Sequence, residues 1–304
     1  NDKERGKGFA MEWMFARLFE MKRKYDAVAI FDADNLVDKR FLLEMNNRLC
    51  KGDKLVQGYL DAKNPYDTWV SGTFAIAFWV IDHIWHLAKT NIGLSSVLGG
   101  TGMCITTDVL KKHGWGATCL VEDMEFTMKS LAEGIKTTWA HDAIVYDEKP
   151  LTFKQSWMAS CKQRLRWAQG QFDVAHRFIP KMLKEGIRRR DIRILDGCLH
   201  LLQPHFLLIS TFFVILSYVQ MGLGYPLFTN IYQFLPSSLL TVITMGQYIL
   251  PIIILAKIHV KWKAWFYLIL YPVFIYSWIP IVFLGFLDRN KHEWSHTKHT
   301  RAVS

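Results

Sequence analysis

The sequence predicts an α/β domain followed by an α-helical transmembrane region, and three observations carry that prediction. Charge is split along the chain. Gly197 to Ala256 holds no Asp, Glu, Lys or Arg in 60 residues, and Ala264 to Leu287 holds none in 24. Of 37 basic and 27 acidic residues, only seven and two lie beyond Asp196, so the front part has the charge density of a water-soluble domain. In that front part strand-like and helix-like segments alternate, the signature of α/β architecture. Behind it come three apolar stretches, His200–Gln220, Leu239–Ala256 and Ala264–Leu287, each near the roughly 20 residues a helix needs to cross a bilayer.

Composition narrows the class further. With 51% hydrophobic residues, 12 Trp and 20 Phe, the chain is neither disordered nor of low complexity. Cys50, Cys104, Cys119, Cys161 and Cys198 are odd in number and show no C-x-x-C spacing, which argues for reduced, cytosolic thiols. The net charge of +10 includes Lys181, Lys184, Arg188, Arg189, Arg190 and Arg193, just ahead of the apolar block. That position favours membrane lipids over nucleic acid as the basic patch's partner. No cleavable signal peptide is visible, and the opening Asn-Asp-Lys-Glu-Arg-Gly-Lys-Gly reads as the interior of a longer chain, so N-terminal truncation is expected.

Taken in order, Gly8–Arg23 reads as a helix, and Tyr25–Phe31 as a buried strand that delivers Asp32-Ala33-Asp34-Asn35 at its C-terminal end. Open α/β sheets bind ligands at that edge. Asp38–Leu49 reads as a helix, Leu55–Tyr59 as a strand, and Tyr66–Lys89 as one or two aromatic-rich helices. Met103–Thr106 and Ile135–Ala140 read as strands flanking a helix that opens at Glu122-Asp123 and stops at Gly134, a favourable C′ residue. Thr152-Phe153-Lys154-Gln155 is a capping-box pattern, predicting a long helix to about Phe178. On it Trp157, Cys161, Leu165, Ala168, Phe172 and Ala175 recur at helical spacing, with Gln163, Arg166 and Trp167 on a roughly opposite face. The division expected is 1–152 a soluble domain, 153–196 amphipathic interfacial helices, 197–288 transmembrane helices and 289–304 a basic tail. Lys257, Lys261 and Lys263 place that loop and the front domain on the cytoplasmic side. Pro272 and Pro280 offer a way to break the third segment into a re-entrant or interfacial helix.

Four constellations carry chemistry. Asp32-Ala33-Asp34 offers hard oxygen ligands to Mg²⁺ or Mn²⁺, whose remaining positions bind a diphosphate, though D-x-D is also a common loop turn. Glu122-Asp123 is either a helix start favoured by the macrodipole or a general base for an attacking hydroxyl. Gln163-Arg164-Leu165-Arg166-Trp167 combines a phosphate-binding fork with an indole face suited to a sugar ring, or else is an interfacial basic-aromatic helix. Gly99-Gly100-Thr101-Gly102 is a flexible loop able to approach a ligand, or a plain turn. Three weaker sets are read as structural: the tail histidines His292, His296 and His299, the pair His141-Asp142, and the aromatics Trp69, Phe74, Phe78, Trp79 and Trp85.

Order and spacing join the four. D-x-D after a strand, a Gly-rich loop, Asp123 at 89 positions beyond Asp34, Q-x-x-R-W beginning 40 beyond Asp123, and then apolar spans resemble the processive family 2 glycosyltransferases, such as cellulose, hyaluronan and poly-N-acetylglucosamine synthases. The resemblance implies a GT-A, Rossmann-like catalytic domain, a UDP-sugar donor, Mg²⁺ or Mn²⁺, and inversion at the anomeric carbon. It implies that Asp32 and Asp34 meet the diphosphate and metal, with Asp34 preferred as the direct ligand. Asp123 becomes the base and Glu122 its neighbour near the acceptor. Lys7, Gln163 and Arg166 lie towards the nucleotide and diphosphate. Trp167, with Gly100, Thr101 and Gly102, lies at the acceptor. The expected product is a growing β-linked polysaccharide, its synthesis coupled to secretion, with an accessory membrane subunit as a candidate partner. A lipid-linked acceptor and a catalytically silent membrane scaffold are the alternatives.

Overall fold

The computed structural model describes residues 6–116, 118–149, 153–224 and 237–289. The front part of the chain is built on one mixed five-stranded sheet: β1 (Ala27–Ile30), β2 (Leu36–Val37), β3 (Leu55–Ala62), β4 (Met103–Thr106) and β5 (Thr137–Asp147), ordered β1-β4-β3-β5-β2. β3 and β5 run parallel; every other pair is antiparallel. β3 is buried along nearly its whole length, as a strand covered on both faces must be. Its side chains alternate: Val56 and Leu60 join Phe41 and Met45 on one face, whereas Leu55 and Tyr59 face the other.

Helices cover both faces: α1 (Lys7–Glu20), α2 (Phe41–Cys50), α3 (Trp69–Val80), α4 (Ala88–Asn91), α5 (Thr107–His113) and α6 (Glu122–Ala132). α3 opens with a reciprocal capping box between Thr68 and Ser71 and passes into a π-helical turn at Ile81–Leu87. The expected helical stretch from Tyr66 to Lys89 is therefore one aromatic-rich rod with a change of winding. Its Phe74 and Trp79 are core residues, as read. α6 ends as expected, with Gly134 at φ +91° and the amides of Gly134 and Ile135 returning to Leu131 O and Ser130 O. β5 runs seven residues past the expected Ala140, because β2 and β3 continue to pair with it.

α7 (Phe153–Arg189) and α8 (Ile192–Leu223) form an antiparallel hairpin, α8 being capped by Asp191, which accepts from Arg193 N at 2.9 Å. Thr152, the expected cap of α7, lies outside the described residues. α7 overruns the expected Phe178 by eleven residues, continuing through Pro180 while it packs on α8. The basic residues at the hairpin tip face protein carboxylates: Arg188 and Arg189 pair with Glu185, and Arg193 with Asp191. Exposed apolar residues, Ile187, Ile192 and Leu199, lie beside them.

One described helix, Ile192–Gln220, is long and apolar enough to cross a membrane, and it contains the first expected span. The second falls in α9 (Ser237–Lys257). The third is not one rod. α10 (Trp262–Leu268) is followed by α11 (Tyr271–Tyr276) and α12 (Trp278–Leu287), with a bend of 52° after Leu268. Pro272 sits at the start of α11, where a missing N–H costs nothing, and Ser277, itself helical, joins α11 to α12. The tail histidines His292, His296 and His299 lie outside the described residues.

Candidate functional site

The site forms where strand ends meet. Because β1 and β4 are antiparallel with Ile30 opposite Met103, the residues after β1 and those before β4 emerge at one sheet edge. Asp32 N donates to Thr101 Oγ1 at 3.0 Å, and Thr101 Oγ1 also bonds Asn35. The β2–β5 pairing, Leu36 opposite Tyr146, brings Asn35 Nδ2 to Asp147 Oδ1 at 3.2 Å. Lys63 donates to Asp34 O, fixing the backbone of the D-x-D turn. From α1, Lys7 Nζ reaches Asp32 Oδ1 at 2.5 Å and Gly100 O at 2.6 Å.

The Gly-rich loop is not flexible. Buried Gln57 holds it from below, accepting from Gly99 N at 2.8 Å and donating to Thr101 O at 2.9 Å. Gly100 has φ +81°, and a Cβ there would lie 3.1 Å from Asp123 Oδ2, so glycine is required both by conformation and by the closeness of the carboxylate. Thr101 and Gly102 are buried behind it, leaving Gly100 as the half-exposed position beside Asp123.

Glu122 and Asp123 open α6 and are half-buried. Burial pushes the Glu122 carboxyl up to about 7, helped by the charge of Asp123 and opposed by Lys7 and Arg166. Asp123 is raised as well, again chiefly by burial, while the Met124 amide at 2.8 Å, Lys7 and Arg166 oppose the rise. Two adjacent carboxyls with elevated affinity for protons, faced by two cations, can accept a proton near neutral pH.

Gln163, Arg166 and Trp167 are half-buried on α7, and Arg166 is the member that faces Glu122 and Asp123 electrostatically. Trp167 lies nearly parallel to Trp278, ring centroids 6.5 Å apart at 18°. Thus Lys7, Asp32, Gly100, Glu122, Asp123 and Arg166 form one cluster. Thr101 and Gly102 support it from behind, and Trp167 extends it towards α12.

Hard divalent ions bound to nucleotides take few protein ligands and leave the rest to phosphate and water. Among the described residues no group of three or more His, Cys, Asp or Glu side chains is arranged for a metal. Asp32 and Asp34 stand two residues apart after β1, and one or two carboxylates are what a nucleotide-bridged Mg²⁺ takes from a protein.

Sequence reasoning missed Gln57, Asp147 and Trp278, and it quoted Asn35 and Arg164 within their motifs without giving either a role of its own. Gln57 was signalled by a lone amide inside an apolar strand, and the setting of Arg164 by its place three residues after Cys161 and four before Ala168, on the apolar stripe of α7. Asp147 and Trp278 carried no sequence signal that set them apart. His141 is a packing residue, edge-on to Tyr59 and His83 at 5.2 and 4.9 Å.

The chain is similar to several known proteins. It is 23% identical over 274 residues to the probable glycosyltransferase YdaM of Bacillus subtilis, covering 88% of this chain and 63% of that protein. It is 23% identical to hyaluronan synthase 1 of Xenopus laevis over 54% of this chain and 29% of that protein. Hyaluronan synthase 2 of Bos taurus is also 23% identical over 54% of this chain, and 31% of its own length is covered. The chain thus spans under two thirds of each of these relatives. The mannosyltransferase PcManGT of Pyrobaculum calidifontis, solved in complex with GDP-Man and Mn²⁺, shares the fold with TM-score 0.50 and 14% identity, over 94% of this chain and 67% of that one. Residues 27–283 match the family described as glycosyl transferase family group 2, and the chain belongs to that family.

Proposed function

We propose that the chain transfers a sugar, with inversion, from a UDP-sugar to a growing β-linked polysaccharide at a membrane. The observation that carries this is the meeting of Asp123, Glu122, Asp32, Lys7 and Gly100 at one sheet edge. Asp123 accepts the proton of the acceptor hydroxyl. The hydroxyl oxygen forms its bond to C1 of the donor sugar as the C1–O bond to the diphosphate breaks, and the nucleoside diphosphate leaves with that electron pair. Lys7 and Arg166 offset the charge on the departing diphosphate, and Gln163 borders it. Glu122 shares the proton load of Asp123 beside the acceptor. Asp34, with Asp32, would hold Mg²⁺ or Mn²⁺, which when bound neutralises diphosphate charge. Trp167 offers an indole face beneath the acceptor sugar.

Polysaccharide as product is supported by the two hyaluronan synthases, and a divalent ion by the Mn²⁺ of the Pyrobaculum complex. That complex holds GDP-Man, which favours a second reading, a non-processive transfer from a GDP-sugar. Membrane attachment is supported by Ile192–Gln220, with the bent pair Trp262–Leu268 and Tyr271–Leu287 as a second candidate. The test is nucleotide release by the full chain in membranes over UDP- and GDP-sugars, with Mg²⁺, Mn²⁺ or chelator, beside Asp123→Asn. Metal-dependent release confined to one or two donors and lost in the variant is expected, with polymeric product. Release unaffected by Asp123→Asn removes the proposal, and singly glycosylated product favours the second reading.

A further inference from the structure

Arg164 is the most deeply buried charge in the described residues, with no exposed surface. None of the described ion pairs involves it, although a buried guanidinium normally has a carboxylate partner. Its surroundings are aromatic instead. The guanidinium carbon lies 5.8 Å from the ring centre of Phe74, 5.3 Å from Trp157, 4.8 Å from Phe274 and 5.2 Å from Trp278, all within cation–π range.

Neutral bonds complete the cage: Arg164 Nε donates to Ser160 O at 3.4 Å and Nη2 to Cys161 Sγ at 3.6 Å, both within α7, and a third leaves the helix. Arg164 Nη1 donates to Ser277 Oγ at 2.7 Å, and Ser277 Oγ donates to Phe274 O at 2.6 Å. Ser277 joins α11 to α12 with helical dihedrals, φ −64° and ψ −15°, and its amide donates to Val273 O at 3.1 Å, so Tyr271–Leu287 continues as one helical unit. The next residue, Trp278, lies nearly parallel to Trp167, three positions after Arg164 on α7. Arg164, Ser277, Trp278 and Trp167 therefore close a loop of contacts between α7 and the C-terminal helices. A guanidinium supplies it with a flat charged surface for the rings and a donor for Ser277, which no aliphatic side chain can do.

We propose that Arg164 is a positioning residue: by tying Ser277 to α7 it holds Trp278 against Trp167 and so sets the acceptor end of the site. This rests on the reading of Trp167 as the acceptor platform. The consequence is that the C-terminal helices, and not α7 alone, determine how the acceptor sugar is presented, while the donor end beside Asp32 and Lys7 is untouched.

The test uses the full chain in detergent micelles, labelled with 5-fluorotryptophan, the ¹⁹F resonances of Trp167 and Trp278 assigned from their Phe variants. Arg164→Met removes the charge and the bond to Ser277 while keeping a long side chain among the rings. It is expected to shift both resonances and to raise acceptor KM about tenfold, equivalent to about 1.4 kcal/mol, with donor KM within about twofold of wild type. Arg164→Lys, which keeps a charge in the cage and one donor, is expected to return part way on both readouts. Unmoved resonances overturn the inference, as does a resonance shift without an acceptor KM change, or an equal loss at donor and acceptor. If Arg164→Met does not fold, Ser277→Ala decides: it removes the bond from Arg164 together with the local bond to Phe274 O, keeps the guanidinium in place, and the same shift of Trp278 and Trp167 is required. If wild type releases no nucleotide from any donor, the functional reading falls, and the resonances still decide whether Arg164 positions the tryptophan pair.

Discussion

Lys7 and Asp32, on α1 and after β1, meet at 2.5 Å, and the same ammonium donates to Gly100 O at 2.6 Å. Both side chains are partly exposed, so the pair contributes little to stability, and its value is the placement of a cation beside Asp32 and Asp123. Lys7→Met is expected to raise donor KM about tenfold or more, the worth of a charge-assisted bond to phosphate, and to leave Tm nearly unchanged. Initial rates across donor concentration check it; an unchanged donor KM refutes the assignment.

The raised carboxyls set a pH dependence. Transfer requires Asp123 deprotonated, and burial raises its affinity for the proton, as it does for the neighbouring Glu122, so the rate falls on acidification from a higher pH than an ordinary aspartate would give. Asp123→Asn is expected to lower the rate by about 10² to 10⁴-fold with the fold intact. A rate that does not change as pH falls from neutral into the acid range counts against the base assignment.

The same shift has a stability cost of defined sign. Glu122 moves from its ordinary 4.5 to about 7, so the folded chain binds this proton more tightly than the unfolded one. Its stabilising contribution is complete below 4.5 and is lost as pH rises through about 7. Glu122→Gln is therefore expected to raise Tm at pH above that window while lowering activity. Thermal unfolding of both proteins above and below the window checks it, and a Tm difference independent of pH excludes Glu122 as the source.

Gly100→Ala adds a methyl group 3.1 Å from Asp123 Oδ2 on a backbone at φ +81°. The left-handed conformation alone costs about 1–2 kcal/mol for a non-glycine residue. A fall in both Tm and kcat is expected, since either the loop or the carboxylate must move. Retained kcat with lowered Tm limits Gly100 to a conformational role.

Arg177 bonds buried Glu125 at 2.7 Å and Asp173 at 2.8 Å, tying α6 to α7. Arg177→Met leaves Glu125 buried with only Thr118 and Cys119 as partners, at an expected cost of about 3 kcal/mol. Chemical denaturation measures it; a loss below about 1 kcal/mol means that the helices are held by apolar packing alone.

Much of this was legible before any coordinates. The strand before Asp32, the helix opening at Glu122 and the start of β5 are local patterns of period 2 or 3.6 with turn residues at their ends, and each formed where expected. The course of the chain after Leu268 was less legible, because Pro272 permits a continuous or a broken helix and only packing against α3 and α7 decides.

By itself the sequence determined the α/β alternation, the apolar C-terminal half and the identity of the carboxylates, Lys7, Arg166 and Trp167 as candidates, because residue type and spacing encode period and chemistry. The tertiary structure decided which of them share a site. The antiparallel register of β1 and β4 carries Asp32 to Thr101 and Gly100, and the fold of α7 against α11 and α12 buries Arg164 among four aromatic rings. Those are meetings of residues 69 and more than 100 positions apart, set by strand pairing and side-chain packing. No local pattern specifies such contacts, since their energy exists only once the distant partners are in place.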